Sequence, residues 1–249
     1  MVMNVKSDLS VEDGPVGSVV RTADSTGTTI LYLRGRQVPA ADPGSASESA
    51  EELARSTGMT VVCARYGAAF PAALDDVHGA YRHCEESGAV VVVGERMGAD
   101  LAAALMVRLR DSGATQPRCA LLVLALLDLT MQARSVQLNA TADPTFDVIE
   151  LRERVASYAG DAVLTDALLS PVYANLHGLP PVQLLVAGTD PLLDDSLAFA
   201  ARAARSRLAV DLRVWPDMAE LRTHKVAAMT EFIRTWTGTT HPSSEVLPG

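Results

Sequence analysis

Residues 89–111, AVVVVGERMGADLAAALMVRLRD, predict the central unit of the fold. The run Ala89–Val93 is apolar and β-branched, which is typical of a strand buried on both faces. After a short turn around Glu95, the stretch Met97–Asp111 has the length and composition of a helix. A buried strand that leads directly into a helix indicates one βα unit of a parallel sheet.

The same alternation continues on both sides of this unit. Five more apolar runs are predicted strands: Thr29–Leu33, Thr60–Ala64, Ala120–Leu126, Val182–Ala187 and Val210–Trp215. Four more segments are predicted helices: Ala46–Ser56, Ala72–Glu86, Leu193–Arg207 and His224–Thr237. Strands that alternate with helices of this length predict an α/β fold with a doubly wound, mostly parallel sheet.

The 249 residues are expected to form one domain, because no repeat or low-complexity linker divides them. Residues 129–170 contain no strong strand and are expected to form a cover, or cap insertion, over the ligand end of the sheet. Residues 1–17 and 239–249 are polar and are expected to be loose termini.

Charge and cysteine usage limit the partners and the compartment. The chain has 30 acidic and 21 basic residues, a formal net charge of -9, which argues against nucleic acid. Its three cysteines, Cys63, Cys84 and Cys119, are widely spaced and indicate a reducing compartment. No apolar leader opens the chain and no stretch is long enough to span a membrane. We expect a soluble, cytoplasmic protein without a membrane partner.

No sequence motif for a cofactor or a metal is present. The chain has neither a GxGxxG fingerprint nor a P-loop, and its His, Cys and acidic residues lack metal-ligand spacing. We therefore expect no cofactor and no metal, and a small molecule as ligand or substrate.

Four segments carry motifs of a known family. They are YLRGRQ at 32–37, FPAALDD at 70–76, GERMGADLAAAL at 94–105, and a run from Ser170 that includes GLPP at 178–181, GTDPL at 188–192 and WPDMAE at 215–220. In this order they resemble the hormone-sensitive-lipase-like (bacterial esterase) branch of the α/β-hydrolases, whose motifs include YLHGGG, FPAALDD, GDSAGGNLAAAL and W/Y-P-G-M-x-H. The resemblance implies an α/β-hydrolase fold, here with a reduced cap.

The resemblance also assigns the catalytic positions, at which this chain differs from the family. Arg96 stands where the family has its nucleophilic serine, and a guanidinium has no lone pair with which to attack. Glu220 stands at the position of the family histidine, although a second alignment places His224 there. Asp190 matches the acidic member of the triad. The predicted catalytic residues are accordingly Arg96, Asp190, Glu220 and His224.

A larger set of residues is expected around the same pocket. The predicted ligand-binding residues are Arg34, Gly35, Arg36, Glu95, Met97 and His177. Two interpretations of the arginines remain open. Either Arg96 forms an internal ion pair with Asp190 or Glu220, since an unpaired buried charge is costly, or the arginines bind an anionic or polyoxygenated ligand while Glu220 moves a proton.

These residue types favour a non-hydrolytic enzyme over a serine esterase. The first hypothesis is a cyclase, isomerase or lyase that acts on a small biosynthetic intermediate. The alternative is a pseudo-hydrolase with a degenerate triad, acting as an inactive ligand-binding protein or a partner subunit. The resemblance also allows a homodimer formed through Val210–Trp215 and His224–Thr237.

Overall fold

The computed structural model describes residues 9–35, 46–142 and 146–238. Its strands are β1 (Leu9–Gly14), β2 (Gly17–Thr22), β3 (Thr26–Arg34), β4 (Met59–Ala64), β5 (Val90–Glu95), β6 (Ala120–Val123), β7 (Val182–Ala187) and β8 (Val210–Trp215). Its helices are α1 (Glu48–Thr57), α2 (Ala72–Glu85), α3 (Met97–Asp111), α4 (Arg134–Leu138), α5 (Val148–Ala159), α6 (Leu193–Arg205) and α7 (Met218–Thr237), and a short 3-10 helix spans Pro171–Tyr173.

The eight strands form one sheet in the order β1-β2-β4-β3-β5-β6-β7-β8. β1 pairs antiparallel with β2 and β2 antiparallel with β4, whereas every other neighbouring pair is parallel. The predicted doubly wound, mostly parallel α/β sheet is therefore confirmed. Because the carboxyl ends of parallel strands share one edge, the loops after β5 and β7 lie at the same end of the sheet.

Alternate residues of the central strands pack against different helical layers. Leu31 and Leu33 of β3 join the core that contains residues of α2, α3 and α6, whereas Ile30 and Tyr32 join the core formed with α1 and α7. This two-sided burial follows from the period of two along a strand. It explains why the central strands are continuous apolar runs in the sequence.

The N-terminal prediction requires a correction. Residues 9–17 were expected to belong to a loose terminus, but β1 and the turn into β2 occupy them. β1 is an edge strand whose residues are mostly exposed, so it lacks the apolar run by which the buried strands are recognised. Residues 1–8 and 239–249 lie outside the described part of the chain.

Several element boundaries also differ from the sequence prediction, and two of the differences have a visible local cause. Helix α7 begins at Met218 and not at His224, because the Asp217 side chain caps it by accepting hydrogen bonds from the N–H groups of Ala219 and Glu220. Strand β6 ends at Val123, three residues early, where Leu124 adopts a positive φ of 50°. The predicted cover contains α4, α5 and the loops around them.

Candidate functional site

A sharp turn joins β5 to α3 at the carboxyl edge of the sheet. Arg96 occupies it with φ 55° and ψ −120°, a conformation that residues with a side chain rarely adopt. Glycines make the turn possible: a Cβ on Gly98 would lie 1.9 Å from the Leu33 carbonyl oxygen, and one on Gly94 would lie 2.3 Å from that of Gly98. A strained strand-to-helix turn of this kind presents the side chain at its centre, here Arg96, to the space above the sheet.

The Arg96 side chain is held by an acid from a second strand end. Nη1 of Arg96 lies 3.2 Å from Oδ2 of Asp190, which follows β7 and is fully buried. The other carboxylate oxygen of Asp190 accepts a hydrogen bond of 2.7 Å from the Leu192 N–H. Of the two partners left open by the sequence, Asp190 is therefore the one that Arg96 contacts.

A cavity of about 600 Å³ opens beside this ion pair. It lies between the β5–α3 turn, the loop after β4, helix α5 and the first turns of α7. Its lining residues are Tyr66, Gly67, Ala68, Arg96, Met97, Leu101, Leu126, Phe146, Asp147, Glu150, Leu151, Arg154, Val155, Ser157, Tyr158, Leu192 and Arg222. The volume suits a small organic ligand.

The N-terminus of α3 adds a backbone donor to this space. The Met97 N–H is in the first turn of a 15-residue helix and has no hydrogen-bond acceptor among the described residues. First-turn N–H groups carry the positive end of the helix dipole and bind negatively charged oxygen. Arg96 and Met97 thus place a fixed cation and a free N–H side by side.

Three of the predicted ligand-binding residues support the turn without lining the cavity. The Gly35 N–H donates to the Glu95 carbonyl oxygen at 2.9 Å, and the Arg34 carbonyl accepts from the Tyr66 hydroxyl. Glu95 forms an ion pair of 2.9 Å with Lys225 of α7. Of the six residues predicted to bind ligand, Met97 lines the cavity, and Arg36 lies outside the described residues.

The remaining predicted residues lie away from the cavity lining. Glu220 and His224 pair with each other, Oε2 to Nε2 at 3.2 Å, and each side chain is about half exposed. His224 is therefore not paired with Asp190 in this structure. His177 is exposed on the loop before β7, where its carbonyl accepts from Arg110.

Four cavity residues that were not predicted lie on α5 and α7. Glu150, Arg154 and Tyr158 of α5 line the cavity, as does Arg222 of α7. The helical pattern at 146–158 is visible in the sequence, and its place over the ligand end was predicted. Which of its faces points inwards depends on how α5 packs, which a single sequence does not specify.

Two buried carboxyls lie behind the turn. Asp100 of α3 is fully buried and neither of its oxygens has a hydrogen-bond partner among the described groups. Burial, and secondarily the nearby Asp195, raises its pKa well above the usual value for aspartate. Burial also raises the pKa of Asp195 to about 7, although that carboxyl accepts bonds from the Leu127 and Asp128 N–H groups. Burial therefore stabilises the protonated form of both carboxyl groups.

Neither a metal-binding cluster nor a membrane-spanning helix occurs among the described residues. No group of three or more His, Cys, Asp or Glu side chains within 9–35, 46–142 and 146–238 has an arrangement that could hold a metal ion. Among the helices of the same ranges, none is both long and apolar enough to cross a membrane.

Several proteins named as hydrolases or esterases are similar to this chain. An acetyl-hydrolase of Streptomyces hygroscopicus is 30% identical over 207 residues, which cover 80% of this chain and 69% of that protein. The crystal structure of EstE5 soaked with p-nitrophenyl butyrate superposes with a TM-score of 0.85 at 26% identity, covering 96% of this chain and 88% of the other. An esterase of the bacterial hormone-sensitive lipase family gives a TM-score of 0.83 at 27% identity, covering 94% and 86%.

These similarities correct the functional prediction. The hypothesis of a cyclase, isomerase or lyase acting on a biosynthetic intermediate is wrong, and so is its alternative of an inactive pseudo-hydrolase with a degenerate triad, because the relatives are named esterases and acetyl-hydrolases. That prediction rested on the residues at the family's serine and histidine positions, Arg96 and Glu220, and on the arginines of the YLRGRQ segment.

The resemblance to the hormone-sensitive-lipase-like branch is confirmed by the last of these structures. The family model described as alpha/beta hydrolase fold matches residues 30–221, well over half of the chain. The match includes the β5–α3 turn, Asp190 and the first turn of α7. The chain therefore belongs to the α/β-hydrolase fold family.

Proposed function

We propose that this protein hydrolyses a small carboxylic ester in the cavity beside Arg96, with water as the attacking group. The observation that carries the proposal is the position of Arg96, which lines the cavity from the strained β5–α3 turn and is fixed by the buried Asp190. The names of the relatives, an acetyl-hydrolase and esterases, support the reaction class.

Arg96 and Met97 act on the carbonyl oxygen in this proposal. When water adds to the acyl carbon, the carbonyl oxygen gains negative charge, which the Arg96 guanidinium and the Met97 N–H stabilise. Groups that are already oriented toward the developing charge need no reorganisation during the reaction. Asp190 is a positioning residue, because its contact with Nη1 fixes the guanidinium.

The attacking water must lose a proton, and Glu150 is the residue that we propose accepts it. Two carboxylates line the cavity, but Oδ1 of Asp147 caps α5 by accepting from the N–H groups of Ile149 and Glu150. Oε1 of Glu150 lies 2.5 Å from Nη2 of Arg154. A carboxylate in such an ion pair can still act as a base. The ester C–O bond then breaks, and the proton passes to the departing alcohol. Water and ester are consumed, and an acid and an alcohol are formed.

Hydrolysis of p-nitrophenyl acetate and p-nitrophenyl butyrate tests the role of Arg96. Removing one donor to an oxyanion lowers kcat by about 100-fold or more, so we expect this loss for Arg96→Ala with a smaller change in KM. Arg152→Ala is the matched control, because Arg152 is exposed on α5 and does not line the cavity. Wild-type turnover in Arg96→Ala would overturn the proposed role.

The base is tested by comparing two glutamates. Glu150→Gln should lower kcat by about 100-fold or more, because the attacking water loses its base, whereas Glu153→Gln, an exposed change on the same helix, should leave kcat unchanged. Glu220→Gln distinguishes the cavity carboxylate from the one predicted by the sequence. Loss of activity in Glu220→Gln but not in Glu150→Gln would return the proton transfer to the Glu220–His224 pair.

We also propose the cytoplasm as the compartment. The three cysteines are free and buried, which suits a reducing environment. Cell fractionation with an antibody to the chain tests this assignment.

A further inference from the structure

The charged residues of the cavity differ in how they are neutralised. Three arginines, Arg96, Arg154 and Arg222, and two acids, Asp147 and Glu150, line it. Both acids are engaged, Glu150 by Arg154 and Asp147 by the N-terminus of α5. Arg96 contacts the buried Asp190. Among the described residues, Arg222 is therefore the cavity cation that no acid compensates.

Arg222 is placed to contact a ligand from the α7 side of the cavity. It lies in the second turn of α7, its residue is exposed, and it forms no ion pair or side-chain hydrogen bond with any residue in the described ranges. The acids nearest to it on the same helix are committed elsewhere: Asp217 caps α7 and Glu220 pairs with His224. A guanidinium presents a planar fork of donors that matches a carboxylate.

The rest of the lining is largely apolar. Leu101, Leu126, Leu151, Val155 and Leu192 contribute aliphatic surface to the same cavity. Aliphatic walls of this kind accommodate a short methylene chain, and a few polar groups fix its orientation. A ligand with an ester group near Arg96 and an anionic group near Arg222 would use both kinds of surface.

We infer that the substrate is an ester that also carries a carboxylate, such as the monoester of a short dicarboxylic acid, and that Arg222 binds the carboxylate. The ester part of this inference rests on the proposed hydrolysis, whereas the binding of the carboxylate by Arg222 does not require turnover. Arg222 is thus a specificity residue, distinct from the arginines predicted from the sequence.

Binding is measured first, with non-reactive probes. Thermal unfolding of the full chain is followed with succinate, butyrate or inorganic phosphate at equal ionic strength, because a ligand that binds only the folded state raises Tm. We expect succinate to raise Tm more than butyrate does, and Arg222→Ala to abolish that difference. Arg152→Ala, which removes an exposed arginine outside the cavity lining, should retain it.

Specificity is measured second, with p-nitrophenyl hemisuccinate and p-nitrophenyl butyrate. The wild type should favour the charged ester in kcat/KM, and Arg222→Ala should reduce this preference by about tenfold or more, mainly through KM. Arg222→Lys, which keeps the charge but not the fork, should retain part of the preference.

The two assays separate this inference from the proposed function. If neither ester is hydrolysed while succinate binding depends on Arg222, the proposed hydrolysis fails and the carboxylate assignment stands. If both esters are hydrolysed with a preference that Arg222→Ala does not change, the assignment fails and the hydrolysis stands. If phosphate but not succinate raises Tm, and Arg222→Ala abolishes that rise, then Arg222 binds a phosphate group and the carboxylate assignment is wrong.

Discussion

Arg96 and Asp190 form an ion pair whose two members differ in exposure. Oδ2 of Asp190 lies 3.2 Å from Nη1 of Arg96, and the Asp190 side chain is fully buried whereas that of Arg96 is 27% exposed. Asp190 has lost its hydration on folding, and Arg96 provides the compensating charge. Loss of the Arg96 charge should therefore lower the free energy of unfolding more than loss of the Asp190 charge does.

This asymmetry predicts a large loss of stability in Arg96→Met. The change leaves a carboxylate buried beside an apolar side chain, and breaking a buried pair in this way costs about 3–5 kcal/mol of unfolding free energy. Asp190→Asn should cost less, because Arg96 can turn its charge toward the cavity. Urea denaturation at pH 7 measures both values.

The double variant Arg96→Met/Asp190→Asn provides the control. It removes the buried charge, so we expect it to recover much of the stability lost in Arg96→Met. Strictly additive losses in the double variant would show that the two side chains do not interact.

Replacing glycine by alanine should change the free energy of unfolding in opposite directions at two helical positions, Gly98 and Gly79. Gly98→Ala would place a Cβ 1.9 Å from the Leu33 carbonyl oxygen, so α3 would have to move away from β3, at a cost of about 3 kcal/mol. Gly79→Ala on α2 meets no atom within 4 Å and should gain about 0.5–1 kcal/mol from helix propensity. Chemical denaturation of the pair measures both, and equal effects would contradict the close approach of α3 to β3.

The three cysteines are predicted to be unreactive in the folded protein. All are buried, and burial raises the pKa of Cys63 to about 11 and those of Cys84 and Cys119 to about 12. Since the thiolate is the reactive form, at most about one Cys63 in a thousand is ionised at pH 8. Ellman's reagent should find three thiols in guanidinium chloride and react slowly with the native protein. Rapid modification of a thiol in the native protein would contradict the burial of that cysteine.

Much of the fold is predictable because its central strands are buried on both faces. Apolar runs identify β3–β7, and the predicted bounds of α3 agree with the structure. The exposed edge hairpin β1–β2 is missed because exposed strands need no apolar run. The start of α7 is missed because the cap is Asp217, seven residues before the predicted first residue.

The site is predictable only where topology determines it. Arg96 and Asp190 follow β5 and β7, which flank β6 and run parallel to it, so their meeting follows from the strand order. Glu220 and His224 are one turn apart on α7 and contact each other, and the rotation of α7 about its axis decides what else they reach. A sequence specifies that rotation only through the packing of the whole chain.

The burial of Asp100 predicts that stability falls as pH rises. Its pKa is raised in the folded state, above about 3.9 in the unfolded chain. Its contribution is therefore fully present below pH 4 and is lost as pH rises towards the folded pKa. Asp195, with a folded pKa of about 7, adds a loss of the same sign between about pH 4 and pH 7.

The family motif has asparagine at the position of Asp100. The substitution Asp100→Asn should remove the loss of stability with rising pH that Asp100 causes. Relative to the wild type, Asp100→Asn should become more stable by about 1.4 kcal/mol for each pH unit above 4, until Asp100 ionises in the folded protein. Urea unfolding of both proteins from pH 5 to pH 8 measures the difference, with the exposed Asp161→Asn as control. A difference between Asp100→Asn and the wild type that stays constant over this range would show that Asp100 ionises as readily in the folded chain as in the unfolded one.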